Sequence, residues 1–191
     1  EDLGPVRYLG NKSSGKMGFA LAERAAARGA HVVLVAGPVS LDTPPGVERI
    51  DVRSAREMST AIDARFDGAD AIVMSAAVAD YRPESAATAK LKKADGGDPL
   101  VLRLVQNPDI LAALGTRRGK KRRPVLVGFA LETHDLAAYA RAKLTKKRVD
   151  LIVANHAEDA LGSDENVATL VSKEGNEVLG RLPKHALADA I

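Results

Sequence analysis

The chain has 191 residues, 46% of them hydrophobic, enough to bury one sizeable core, and it is expected to form a single domain over residues 1–191. No apolar run reaches the ~18 residues of a membrane span and the opening EDLGPVR lacks the features of a signal peptide; together with the absence of cysteine, which excludes disulfides and thiolate metal sites, and four scattered histidines without ligand spacing, this predicts a soluble, cytoplasmic protein without a structural metal. The net charge of +3 is concentrated in RRGKKRR (117–123) and KLTKKR (143–148), which would attract polyanions, but with only 3% aromatic residues to stack on bases a small phosphorylated ligand is favoured over nucleic acid.

The run MGFALAERAAAR (17–28) combines strong helix formers with an apolar stripe, and Gly29 follows where a C-terminal cap would sit. HVVLVAG (31–37) reads as a strand buried on both faces. VERIDV (47–52) is a second strand, SAREMSTAIDARF (54–66) a helix with Ser54 as N-cap and Glu57 completing a capping box, and ADAIVMSAAVA (69–79) a third strand. After Tyr81 the polar stretch RPESAATAKLKKADGGDP reads as a long loop or flap.

Order returns with a strand at LVLRLV (100–105) and a helix start at Asn107-Pro108-Asp109, where Asn107 can cap and Pro108 take the first helical position. A strand VLVGFA (125–130), a helix from 135 to about 148 and a strand DLIVAN (150–155) follow, and two short β runs around Glu174-Gly175-Asn176 suggest a terminal hairpin. The alternation predicts a three-layer, Rossmann-like α/β domain with a mostly parallel sheet, a β-hairpin extension at its C-terminal end, and a ligand crevice beyond the carboxyl ends of the strands. A sheet of this kind usually opens with a strand and a glycine turn, so the natural domain is expected to begin before residue 1.

The segment GNKSSGKM (10–17) nearly spells the phosphate-loop pattern, but Met17 replaces the hydroxyl that would bind Mg²⁺, which argues against a Walker-type nucleotidase. Its small residues and helix N-terminus still suit an anion; an ordinary Ser/Gly cap is the alternative. Asp80, just past the small residues of SAAVADYRP, could orient a ribose, a triphosphate's Mg²⁺ or a lysine, or could be a turn aspartate. Lys90, Lys92 and Lys93 could close over a triphosphate or form a solvated charge run. Lys143 and Lys147 share a helix face, and Phe129 ends a strand where a base could stack, though a core role is its default.

Taken together and in order, RYLGNKSSGKMGFALA, HVVLVAGPVSL with TPP, AAVADYRP, KLKK, NPDIL, VGFALET and DLIVAN resemble the phosphopantothenate-cysteine ligase domain of bacterial coenzyme A biosynthesis over nearly the whole chain. The resemblance implies a CTP-dependent reaction in which 4'-phosphopantothenate is activated as an acyl-cytidylate and then taken by cysteine. It implies that Asn11, with Ser13, Ser14 and Gly15, meets the phosphopantothenoyl part, and that Lys90 neutralises triphosphate charge. It further implies a nucleotide site at Ala76, Asp80, Lys90, Asn107, Pro108, Asp109, Ile110, Leu111, Phe129, Lys143 and Lys147. Mg²⁺ is expected with the triphosphate, without a protein cage, and a homodimer is implied. So is fusion to, or association with, a flavin-dependent phosphopantothenoylcysteine decarboxylase, whose domain is not seen in this chain.

Two other classes compete. The βαβ rhythm would suit an NAD(P)-binding oxidoreductase, although no G-x-G-x-x-G follows a strand and only Asp51 could serve as a ribose acid. The two basic runs would suit a nucleic-acid-binding module.

Overall fold

The short β-branched runs become strands because branched side chains pack well on a pleated, half-buried surface, here against helices built from the intervening Ala-, Leu- and Arg-rich segments. Of the run at 31–37, expected to be buried on both faces, residues 32–35 are only partly buried and Ala36 alone is buried. A computed structural model describes residues 1–91, 99–132, 135–156 and 165–191. In chain order the elements are α1 (Lys16–Ala27), β1 (Val32–Ala36), β2 (Val47–Asp51), α2 (Ala55–Asp63), a 3-10 turn (Phe66–Gly68), β3 (Ala71–Met74), β4 (Tyr81–Pro83), β5 (Leu104–Gln106), α3 (Ile110–Arg118), β6 (Val125–Glu132), α4 (Leu136–Lys147), β7 (Leu151–His156), β8 (Glu165–Ser172), β9 (Asn176–Pro183) and α5 (Lys184–Ala190).

The main sheet has the order β3-β6-β7-β8-β9. Its first three strands are parallel, with Ala71 opposite Val125 and Val127 opposite Leu151. The terminal hairpin β8–β9 adds antiparallel to β7, with Val153 opposite Leu170. β1 and β2 form a separate parallel ladder, Val32 opposite Val47. The two ladders share one core: Val35 and Ile50 from the first and Ile72 and Met74 from the second pack on the cluster of Met58, Ile62, Leu111, Leu114, Leu126, Leu144 and Ile152.

Side chains alternate along β6, so Leu126 and Ala130 join that cluster while Val127 and Phe129 face a second one with Val153, Ala168 and Leu187, packed by Met17 of α1. The helices therefore form two outer layers about the sheet. Leu126, Ile152 and Val153 are fully buried, each stabilising the fold by about 1.5–3 kcal/mol relative to exposure.

Four local expectations are corrected. The third strand stops at Met74, well short of residue 79, because the first turn of α1 crosses its end: a Cβ at Gly18 would lie 2.9 Å from Ser75 Oγ. The start of the expected flap is the strand β4, which pairs antiparallel with β5 (Arg82 opposite Val105), and regular pairing begins only at Leu104, so residues 100–103 are outside the strand. Asp109, not Asn107, caps α3, its carboxylate accepting from Ala112 N at 3.0 Å. The helix α5 was unforeseen; its Leu187 is fully buried and its Asp189 pairs with Arg24 and Arg28 of α1.

Candidate active site

Three segments meet beyond the carboxyl end of β3. The turn at residues 10–15 enters α1 through Gly15, whose φ of 76° lies in the left-handed region that glycine adopts without strain. Ser13 Oγ accepts from Gly15 N at 3.3 Å and Ser14 Oγ from Lys16 N, the first residue of α1, at 3.5 Å. Asn11 Nδ2 donates to the Val78 carbonyl at 3.2 Å, so the turn is tied to the strand-end segment that carries Ala76 and Asp80. Both Ala76 and Asp80 are exposed.

The second junction is Asn107. Its main-chain N–H donates to the Asp80 carbonyl at 2.8 Å, and its side-chain nitrogen donates to the Ala79 carbonyl at 2.8 Å and to a Glu1 carboxylate oxygen at 2.9 Å. Arg82 donates to its Oδ1 at 3.3 Å and also to the Gln106 carbonyl. Both donors and the acceptor of this amide are thus engaged, which makes Asn107 a strut between the two strand-end segments. Ile110 and Leu111 are buried in the core, so only their main chain is left to meet a ligand.

The third part lies on α4. Lys147 Nζ is 3.1 Å from Asp109 Oδ1, and Lys143 Nζ donates to the Phe129 carbonyl at 2.7 Å. These bonds set both lysines beside the end of β6 and the start of α3. Phe129 itself packs on the second core cluster, half-buried.

Lys90 is exposed on the flap, which docks on the amino-terminal segment: Ala87 N donates to the Leu3 carbonyl at 3.0 Å, and Arg7 Nη1 to the Leu91 carbonyl at 2.6 Å. No hydrogen bond joins Lys90 to Asn11 or Asp80 among the described residues, and Lys92 and Lys93 lie outside them. Arg7, Arg82 and Glu1 were missed in the sequence because their partners are more than twenty residues away.

The basic run 117–123 has a structural use. Arg117 reaches Asp63 and Asp67 and lies over the Phe66 ring, Arg118 pairs with Asp150, and Arg123 with Asp70. Only Lys120, Lys121 and Arg122 of its cations remain for a polyanion. Asp51, the one candidate ribose acid, is paired with Arg49 at 2.7 Å, which leaves the dinucleotide reading with the βαβ rhythm alone.

The architecture is a Rossmann-like α/β domain whose strand ends bring together small residues, a helix-entry turn, the exposed carboxylates of Asp80 and Asp109, and lysines. Over residues 1–191 the chain matches the sequence profile of the DNA/pantothenate metabolism flavoprotein C-terminal domain, and it belongs to that family. It is 48% identical over 194 residues to the coenzyme A biosynthesis bifunctional protein CoaBC of Vibrio cholerae, covering 100% of this chain and 48% of the relative. It is 49% identical over 183 residues to that of Escherichia coli K12, covering 94% and 45%. The chain thus spans about half the length of these relatives. The crystal structure of the C-terminal domain of a CoaBC protein superposes with a TM-score of 0.82 at 37% identity, covering 100% of this chain and 85% of that one.

Proposed function

We propose that this domain is a CTP-dependent ligase that joins the carboxylate of 4'-phosphopantothenate to the amine of cysteine, giving phosphopantothenoylcysteine, CMP and pyrophosphate. The observation that carries the reading is the bond from Asn11 to the Val78 carbonyl, which seats the family-matched turn against the family-matched strand end, in a chain whose relatives are named for coenzyme A biosynthesis.

A carboxylate has no usable leaving group, and conversion to a mixed anhydride supplies one. A carboxylate oxygen attacks the α-phosphorus of CTP, the bond from that phosphorus to the bridging oxygen breaks, and pyrophosphate departs. The cysteine amine then attacks the acyl carbon, the bond to the cytidylate oxygen breaks, CMP leaves, and the amine's proton passes to solvent. In this scheme Asn11, Ser13, Ser14 and Gly15 hold the phosphopantothenoyl part and the acyl-cytidylate. Lys90 offsets charge on the triphosphate as it develops. Ala76, Asp80, the turn from Asn107 to Leu111, Phe129, Lys143 and Lys147 form the nucleotide site. Mg²⁺ would arrive with the triphosphate: no group of three or more His, Cys, Asp or Glu side chains converges among the described residues, so phosphate and water would supply most of its ligands, with Asp80 available at the strand end.

We further take the protein to act in the cytoplasm as a homodimer, fused to or associated with a flavin-dependent decarboxylase that uses its product. No described helix is long and apolar enough to cross a membrane. Leu100, Val101, Leu102 and Leu104, with Tyr81 nearby in sequence pairing, are exposed, Val101 to 85%. A two-stranded ribbon is marginal alone and such apolar exposure favours a partner surface. Pyrophosphate release on mixing with CTP, Mg²⁺, phosphopantothenate and cysteine tests the ligase; none from folded, full-length protein would refute it. Asn11→Ala and Lys90→Ala should each stop product formation with the fold intact.

A further inference from the structure

The loop after β1, residues 37–42, has no role in the scheme above, yet through Val39 it walls the Asn11–Gly15 turn. A Cβ on Gly15 would stand 3.0 Å from Val39 Cγ1, so Val39 is pressed against the left-handed residue that opens α1. What holds Val39 there is Arg49 of β2. Its Nη1 donates to the Leu41 carbonyl at 2.6 Å, its Nη2 to the Val39 carbonyl at 3.4 Å, and its Nε to Asp51 Oδ1 at 2.7 Å. The same guanidinium stands 5.3 Å from the centroid of Phe19, in the first turn of α1. One rigid planar group therefore fixes a strand, a loop and a helix entry relative to one another.

We propose that Arg49 is a positioning residue for the phosphopantothenate-binding turn: by clamping loop 37–42 it sets Val39 against Gly15, and so the approach of the turn's N–H groups and of Asn11 to the acid substrate. This rests on the ligase reading and adds a residue to it. Lysine at this position keeps the charge but has one nitrogen on a flexible stem, and cannot serve two carbonyls and a carboxylate while covering an aromatic ring. Val39→Ala removes the wall and leaves the clamp in place.

The test compares wild type, Arg49→Lys and Val39→Ala by calorimetric titration with 4'-phosphopantothenate and by steady-state pyrophosphate release. Affinity for the acid, and its KM, should weaken by about tenfold in both variants while the KM for CTP stays within about twofold. Unchanged affinity for the acid in folded Arg49→Lys would overturn the proposal. So would a fall in kcat with every KM unchanged, which is what a merely structural role would produce. Should Arg49→Lys not fold, Val39→Ala decides by the same two readouts. Wild type that binds the acid but releases no pyrophosphate would refute the ligase while leaving the positioning role to the titrations; wild type that does not bind it refutes both.

Discussion

Replacing Gly115 with alanine should destabilise the protein, although alanine is the better helix former. Gly115 is buried in α3, and an ideal Cβ there would lie 1.9 Å from the carbonyl oxygen of Lys147, 3.1 Å from its carbonyl carbon and 3.2 Å from the Arg148 carbonyl oxygen. The obstacle is backbone at the end of α4, so no side chain can rotate away, and the helices must part by about 1 Å or more to restore van der Waals distance. Overpacking of this kind costs ~3 kcal/mol at the upper end of its range, against a gain of ~1 kcal/mol from replacing a helical glycine. The net loss of about 2 kcal/mol should lower the melting temperature by about 4–8 °C for a domain of this size. Parting the helices should also lengthen the Lys147–Asp109 contact, now 3.1 Å, and, if these residues belong to the proposed nucleotide site, weaken CTP binding. Thermal unfolding followed by circular dichroism is the assay. A melting temperature equal to or above wild type, as helix propensity alone would give, would refute the reasoning.

Asp150→Ala should cost about 3 kcal/mol by denaturant titration, because the Arg118 side chain, 6% exposed, would lose its carboxylate while Leu126 N loses its 2.8 Å acceptor; a loss below about 1 kcal/mol would show the pair to be dispensable. Asn107→Asp would set a carboxylate against the Ala79 carbonyl and Glu1, and should weaken CTP binding by about tenfold or more in calorimetry with the acid's KM little changed. The hydrogen bond from Arg24 to Asp189, and then the charges of Arg24 and Arg28, hold the Asp189 carboxyl below its ordinary value of 3.8. A depressed carboxyl stabilises the fold above that ordinary value and loses the effect as pH falls through the lower folded value. Asp189→Asn should therefore lower the melting temperature at neutral pH and converge with wild type in strong acid. Parallel curves would contradict this. Aspartate at Val101 should give a monomer by sedimentation if that row is the dimer surface, and a wild-type monomer at micromolar concentration would dispose of the surface.

Much of the scaffold was legible because its determinants are local. The central strands β6 and β7 declare themselves as uninterrupted apolar runs, and Ser54 with Glu57 marks the start of α2, where Ser54 Oγ accepts from Glu57 N at 3.2 Å. Glu57 reaches back, however, to Arg53 N at 2.8 Å, one residue beyond the expected box. The misses depend on distant partners. Asn107 and Asp109 are equally good caps by type, and the choice is made by the Ala79 carbonyl, which takes Asn107. The run from Ser75 to Ala79 is apolar enough for a strand, and only the helix crossing at Gly18 ends it. α5 has little apolar pattern of its own and is held by Leu187 and by Asp189 against α1.

The same division runs through the candidate site. Residues matched to the family fall into two groups that sequence spacing could not separate. Asn107, Lys143 and Lys147 spend their polar atoms on Ala79, Phe129 and Asp109, and so fix the distance between strand ends and helix starts. Asp80, just before β4, and Lys90, in the connection between β4 and β5, are exposed side chains with no such tie among the described residues. Preorganised framework plus uncommitted charge is the arrangement that the proposed ligase reaction would use, since groups already satisfied would not have to be desolvated again on entry of a triphosphate. It follows that substitutions in the first group should act mainly through substrate affinity and stability, whereas Lys90→Ala should act on turnover with the melting temperature unchanged.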